Sequence, residues 1–260
     1  MRADKYFAEK FGSRTKSAEA IEKGLVLVNG KKIRAKDEIK ETDVITYIEA
    51  EESFVSNGGY KLNRAISTFA FDCSDKIFAD IGASTGGFTD CLLQRGAKKI
   101  YTVDVGESLL STTLLQSGKI VQMENTNARY LEKEHFSDEL DGVVVDVSFI
   151  SLKHIFPTVA RILKPNGDAF VLIKPQFECE KKNIGKSGIV HTAAHAGIIK
   201  KVLEYAVSCG LYPFGIVNAP VRKGKNIEYV LYCKPTYKNA LSTDTVIQSV
   251  SSFLKTTDKL

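Results

Sequence analysis

Four charged residues fall where the run of apolar positions expects the end of a buried strand or the turn ahead of the core: Lys61, Asp146, Lys174 and Glu228. Their settings are Gly58-Gly59-Tyr60-Lys61-Leu62, Val143-Val144-Val145-Asp146, Val171-Leu172-Ile173-Lys174-Pro175 and Asn226-Ile227-Glu228-Tyr229. The runs before Asp146 and Lys174 are apolar enough for central strands. Both side chains are therefore expected at the carboxyl edge of a sheet, where ligands bind in α/β folds. Such a set suits proton transfer to or from a sugar hydroxyl, a poor nucleophile near neutral pH. A lysine whose pKa is lowered by burial beside another cation could take that proton during attack on an activated methyl group. The two carboxylates would orient the lysine and the substrate. Taken singly, each residue caps a strand or joins a surface ion pair just as well; it is the group of four that points to a site.

A second constellation is Asp80-Ile81-Gly82-Ala83-Ser84-Thr85-Gly86-Gly87-Phe88-Thr89, which leaves one apolar run, passes three glycines and enters a helical pattern. Glycines here let a ligand approach the backbone closely. The spacing is not GxGxxG, and no Gly-Lys-Ser/Thr follows, so neither a dinucleotide nor a P-loop site is indicated. An acid at the strand end would repel a pyrophosphate, whereas it suits the sulfonium and amino group of S-adenosylmethionine. Asp104 ends the next strand, 24 residues beyond Asp80, placed to accept hydrogen bonds from both hydroxyls of an adenosine ribose. Asn125, after the third strand, stands where such sheets contact an adenine. The alternatives are helix packing for Gly86 and Gly87, a strand cap for Asp104 and a polar turn for Asn125.

These positions need a frame, and the rest of the chain supplies one. Strand candidates at residues 76–80, 98–104, 120–123, 142–146, 169–173, 215–218 and 228–233 alternate with helical patterns at 88–95, 108–116, 152–163 and 194–209. That rhythm predicts an α/β, doubly wound Rossmann-like sheet. The last two strands lack an intervening helix, so a hairpin should put an antiparallel strand at the sheet edge. Residues 1–36 hold ten Lys or Arg against four Asp or Glu, more than the net +5 of all 260 residues, and an acidic stretch follows. This asymmetry marks a separate small α+β unit. Tyr6, Phe7 and Phe11 have helical spacing, a second helix runs through Ile21, and Asn29-Gly30 predicts a hairpin turn. The five cysteines are scattered with no CxxC pair, which reads as reduced thiols and no metal site. His191 and His195, around a helix start, read as capping or packing residues. No apolar stretch approaches the roughly 20 residues that span a bilayer, so a cytoplasmic protein with no membrane partner is expected.

The N-terminal pattern Gly24-Leu25-Val26-Leu27-Val28-Asn29-Gly30-Lys31-Lys32-Ile33 after a helix pair resembles the S-four RNA-binding domain. That resemblance implies phosphate contacts from Arg14, Lys16, Lys31 and Lys32. The motifs Val55-Ser56-Asn57-Gly58-Gly59-Tyr60-Lys61-Leu62, the glycine loop, Asp146-Val147-Ser148-Phe149-Ile150-Ser151-Leu152 and Lys174-Pro175-Gln176-Phe177-Glu178 resemble the hemolysin-A (TlyA) family, with its FtsJ-like fold. The resemblance runs over nearly the whole chain. It implies 2′-O-methylation of cytidine in ribosomal RNA, in the large subunit alone or in both, with ribosomal RNA or subunits as partner. By motif match Lys174 is the base and Lys61, Asp146 and Glu228 complete a tetrad. Asp80, Gly82, Ser84, Gly86, Gly87, Phe88, Asp104, Asn125 and Asp146 are expected to hold S-adenosylmethionine. The expected domains are 1–52 for RNA binding, 53–75 for a linker and the helix carrying Lys61, 76–238 for the methyltransferase, and 239–260 for a C-terminal helix or tail. Two positions depart from the family pattern: Asn57 replaces the arginine of VSRGxxKL, and Lys225 replaces the glycine of GNxEY. Three rival readings are a non-catalytic RNA-binding protein, the membrane-active hemolysin that the family name suggests, and a nicotinamide-linked dehydrogenase. The intact Lys61, Asp146 and Lys174, the absence of a strongly amphipathic basic helix and the loop spacing weigh against them in turn.

Overall fold

The computed structural model describes residues 1–22, 24–48, 53–222 and 224–257, the side chains of Lys16 and Thr257 excepted. They form two compact units, Met1–Ser53 and Phe54–Leu260. In the first, α1 (Ala3–Tyr6), α2 (Ala8–Phe11) and α3 (Arg14–Glu22) precede a three-stranded antiparallel sheet of β1 (Val26–Val28), β2 (Lys31–Lys32) and β3 (Ile45–Tyr47), with β1 in the middle. Asn29 and Gly30 take φ of 52° and 74°, the left-handed pair that lets two residues join twisted antiparallel strands. The expected single helix over Tyr6, Phe7 and Phe11 is broken at Phe7, which is buried with Ala3, Ile21, Val26, Val28 and Ile39 in the small core.

The second unit runs α4 (Asn57–Thr68), β4 (Ile77–Ile81), α5 (Gly87–Gln94), β5 (Lys99–Val103), α6 (Thr112–Leu115), β6 (Ile120–Met123), β7 (Leu140–Val145), α7 (Phe156–Ile162), β8 (Leu163–Ile173), α8 (Pro175–Glu178), α9 (His195–Ser208), β9 (Tyr212–Asn218), β10 (Tyr229–Lys234) and α10 (Thr243–Thr257). Its seven strands lie in the order β6-β5-β4-β7-β8-β10-β9. β4 to β8 are parallel, and β10 is antiparallel to both β8 and β9. The antiparallel strand therefore does not form the edge that the sequence suggested. It inserts between β8 and β9, so β9 is the edge and β10, buried along most of its length, sits inside. Parallel strands covered on both faces read as continuous apolar runs: α7, α9 and α10 cover one face and α4 and α5 the other. The helix carrying Lys61 and the last helix both belong to this unit. Among the described residues no helix is long and apolar enough to cross a membrane.

Two local features set the site. The helix expected over 108–116 shrinks to α6, because the chain around Ser108 (φ 53°) loops so that Leu110 and Leu114 fill the space beside Gly86. At the start of α4, Ser56 Oγ accepts the Gly58 N–H at 3.3 Å as a helix cap, and Gly59, Leu62, Ala65 and Ile66 bury one helical face. This puts α4 directly on α5. A methyl at Gly87 would collide with Ser56 Oγ and come within 3.0 Å of Gly58 Cα and Gly59 N. Gly87→Ala is therefore expected to cost about 1–3 kcal/mol in denaturant unfolding. Gly197, in α9 with open space at its Cβ position, should gain up to about 1 kcal/mol on the same change; equal effects at the two positions would contradict the packing described.

Candidate active site

The carboxyl ends of β4, β5, β7 and β8 carry the charged groups. Asp146 follows β7 and Lys174 follows β8, and the two emerge side by side: Lys174 Nζ lies 2.6 Å from Asp146 Oδ1 and donates to Ser148 Oγ at 2.8 Å. Lys61, one turn into α4, pairs with Glu228 Oε2 at 2.6 Å. All four side chains are largely buried, with at most 22% of their surface exposed. The expected tetrad is thus two ion pairs. Lys174 has a carboxylate rather than a second cation as its ionic neighbour, contrary to the sequence expectation, because its strand pairs in parallel with the one that ends in Asp146.

Two clefts meet at this edge. The larger, about 330 Å³, is mostly apolar, walled by Val105, Leu109, Val147, Ile150 and Ile155, with Asp104 on its rim. The smaller, about 170 Å³, is polar and includes Ser56, Thr85, Ser148 and Lys174. Gly82, Ser84, Asp146 and Ser148 line both. The pair accepts a ligand with a flat apolar end, a middle that can donate to Asp104, and a polar charged end beside Lys174. Gly82 makes the join possible: its φ is +82°, and a Cβ there would stand 2.8 Å from the Asp146 carbonyl oxygen. Asp104 already accepts the Ser84 N–H at 2.8 Å and the Gly106 N–H at 2.9 Å, which fixes both its oxygens and leaves each a further lone pair for a diol.

Several expected ligand-binding residues have other roles in the structure. Asp80 lies wholly buried beneath the loop and lines neither cleft; its Oδ2 accepts from Thr89 Oγ1 at 2.6 Å and its Oδ1 has no partner. Gly86 (φ +95°) faces Leu110 and Leu114 and lines neither cleft, so its backbone angle and the packing of the two leucines both call for glycine. Asn125 is a left-handed turn residue (φ 50°) outside the large cleft, whose wall is formed instead by Thr126 and Asn127. Gly87 and Phe88 border the polar cleft. In the first unit Arg14 is bound at 2.9 Å to the buried Asp4, which also holds Arg2. The Arg14 side chain is nonetheless exposed, as are Lys31 and Lys32 on β2. The Lys16 side chain lies outside the described residues. His195 is a buried packing residue whose ring bonds the Tyr229 hydroxyl at 2.9 Å, and burial lowers its pKa.

The sequence reading missed three features. Glu178, buried, accepts from Ser151 Oγ and the Leu152 N–H, both at 2.7 Å, and so ties the loop after Asp146 to the segment after Lys174. Phe149 is 90% exposed at the cleft mouth, 5.0 Å from the Phe177 ring. Asn226 binds the neighbouring loop through Val190 N–H and Gly188 C=O. A motif polar at one position and aromatic at the next, as in Ser148-Phe149 and Gln176-Phe177, is the signal that could have found the second.

A parallel sheet carrying an inserted antiparallel strand, a glycine turn after its first core strand and paired charges at its carboxyl edge defines a Rossmann-type methyltransferase. Residues 54–235 match the family model described as FtsJ-like methyltransferase, and residues 1–45 match the S4 domain. Hemolysin A of Brachyspira hyodysenteriae is 39% identical over 89% of this chain and 99% of its own length. The 16S/23S rRNA (cytidine-2'-O)-methyltransferase TlyA of Mycobacterium tuberculosis is 35% identical over 88% of this chain and 87% of its own. A solved structure from Streptococcus thermophilus superposes with a TM-score of 0.72 at 33% identity, covering 100% of this chain and 98% of that one. The chain belongs to the FtsJ-like methyltransferase family, beside the hemolysin A and TlyA proteins, and carries an S4 domain at its N-terminus.

Burial pushes the Asp80 carboxyl up to about 7, helped by the charges of Asp146 and Asp104 and opposed by the Thr89 hydrogen bond. Between about pH 4 and 7 the folded protein holds a proton here that the unfolded chain has released. This group thus favours folding at the acid end of that window, and the advantage is lost as pH rises through 7. Asp80→Asn should flatten this part of the stability profile by up to about 1.4 kcal/mol per pH unit, read by urea unfolding from pH 5 to 8. Parallel curves for the two proteins would contradict the account.

Proposed function

We propose that this chain transfers the methyl group of S-adenosylmethionine to the ribose 2′-hydroxyl of a cytidine in ribosomal RNA of the large subunit or of both subunits, in the cytoplasm. The observation that carries the reading is the Lys174–Asp146 pair on the wall shared by an adenosine-sized apolar cleft and a polar one. The TlyA relatives, named as cytidine-2'-O-methyltransferases of ribosomal RNA, support the substrate. The cofactor fits the residues present: apolar walls for the adenine, Asp104 for the ribose hydroxyls and the polar cleft for the amino-acid end.

When bound, S-adenosylmethionine would supply an electrophilic methyl carried on a sulfonium. Lys174 Nζ would take the proton of the 2′-hydroxyl as the sugar oxygen is methylated, and Asp146 would stabilise the ammonium formed. Ser148 and Asp146 hold the lysine on line. Lys61, fixed by Glu228, orients the ribose from the α4 side. The Phe149 ring offers a stacking face to an unpaired base, and Lys31 and Lys32 contact phosphates elsewhere on the RNA.

Lys174→Ala should lower kcat by about 10²–10⁴-fold while S-adenosylmethionine binding changes little. The assay is transfer of labelled methyl to ribosomal subunits from a strain lacking this gene, with 2′-O-methylcytidine identified by mass spectrometry. Turnover by the variant at the unaltered rate would overturn the base assignment; RNA binding without transfer by the unaltered protein would overturn the enzymatic reading.

A further inference from the structure

A third cleft, about 250 Å³, opens on the far side of Lys61, between the start of α4 and the loop joining β9 to β10. Arg222, from that loop, donates through Nη2 to Asn57 Oδ1 at 2.6 Å across 165 positions of sequence. The loop is a turn in which the Lys225 N–H reaches the Arg222 carbonyl at 3.1 Å, and both cationic side chains are exposed on it. The guanidinium thus lies against the first turn of α4, on the same side as Lys61 of the cleft wall. Its recorded partner is a neutral amide, and Glu228, the acid of this cleft, is already taken by Lys61. Among the described residues Arg222 has no ion pair, and its planar fork offers further N–H donors of the kind that grip phosphate oxygens in pairs. Gln176 Oε1, buried and without a partner, lines the same cleft and calls for a donor. An anion at one end and a donor at the other is the chemistry of a nucleotide.

We propose that Arg222, steered by Asn57, holds a backbone phosphate of the RNA beside the target ribose, so that the strand enters the site along this cleft. The inference rests on the proposed RNA methylation. An ionic grip on phosphate contributes to binding of the ground state and the transition state alike, so its loss appears in KM rather than kcat. It also carries a salt signature: each phosphate contact adds roughly one unit to the slope of log K against log salt.

The test is steady-state methylation of ribosomal subunits, with RNA binding measured across a salt series, by the full chain and its variants. Arg222→Ala should raise KM about tenfold, with the loss confined to KM, and reduce the salt slope by about one. Asn57→Ala should move both in the same direction by less. The double variant N57R/R222A, which moves the guanidinium from the loop to the start of α4, should recover most of the affinity and of the slope. An Arg222→Ala protein with unaltered KM and slope, or one whose loss lies in kcat, overturns the inference while leaving the function standing. A failure of the unaltered protein to methylate or bind RNA would fall on the function instead.

Discussion

Two charges carried just beyond the buried carboxyl halves of neighbouring strands must find each other, and the site is organised around that requirement. β7 and β8 are neighbours in parallel register, so the residue after each lands at the same edge, where Asp146 and Lys174 pair at 2.6 Å. An unpaired charge in such a place would cost several kcal/mol. The ion pair and the Lys174 hydrogen bond to Ser148 thereby fix the ammonium, as the proposed proton transfer demands. The loop after Asp146 is held in turn by Glu178, and the loop after β4 closes over Asp146 only because Gly82 has no side chain.

Much of this was legible in the sequence. The continuous apolar runs of β4, β7 and β8 are what a sheet covered on both faces requires, and Asn29-Gly30 folds as the tight turn it predicts. The residues that bear charge at the sheet edge could be named because such residues have few other places to be. The rest depended on tertiary contacts with no local trace. Asp80 looks like a ligand group in a glycine loop, yet its side chain turns under the loop to Thr89. Gly86 and Gly87 look alike, but the first yields space to two leucines and the second to the backbone of α4. The hold of Asp4 on Arg14 and Arg2 likewise has no trace in the sequence. β10 reads as half of an ordinary hairpin, and only the packing of its buried residues against β8 puts it inside the sheet.

The helix α4 links the parts. Its cap at Ser56, its glycines and its contact with α5 deliver Lys61 to Glu228, Asn57 to Arg222 and Gly58 to the neighbourhood of Asp146, within one and a half turns. One short segment thus borders both the polar cleft beside Lys174 and the outer cleft beyond Lys61. In the proposed mechanism this narrows a sheet edge shared by many enzymes to one reaction, because what lies over the edge decides which hydroxyl reaches Lys174.

The account is tested most directly by a crystal structure of the protein with S-adenosylhomocysteine bound. It predicts the adenine between Leu109 and Ile155, the ribose hydroxyls on Asp104 and the sulfur in the polar cleft, with Lys174 Nζ facing the position of the transferred methyl. A ligand seated elsewhere, or a sulfur with the sheet edge between it and Lys174, would contradict it.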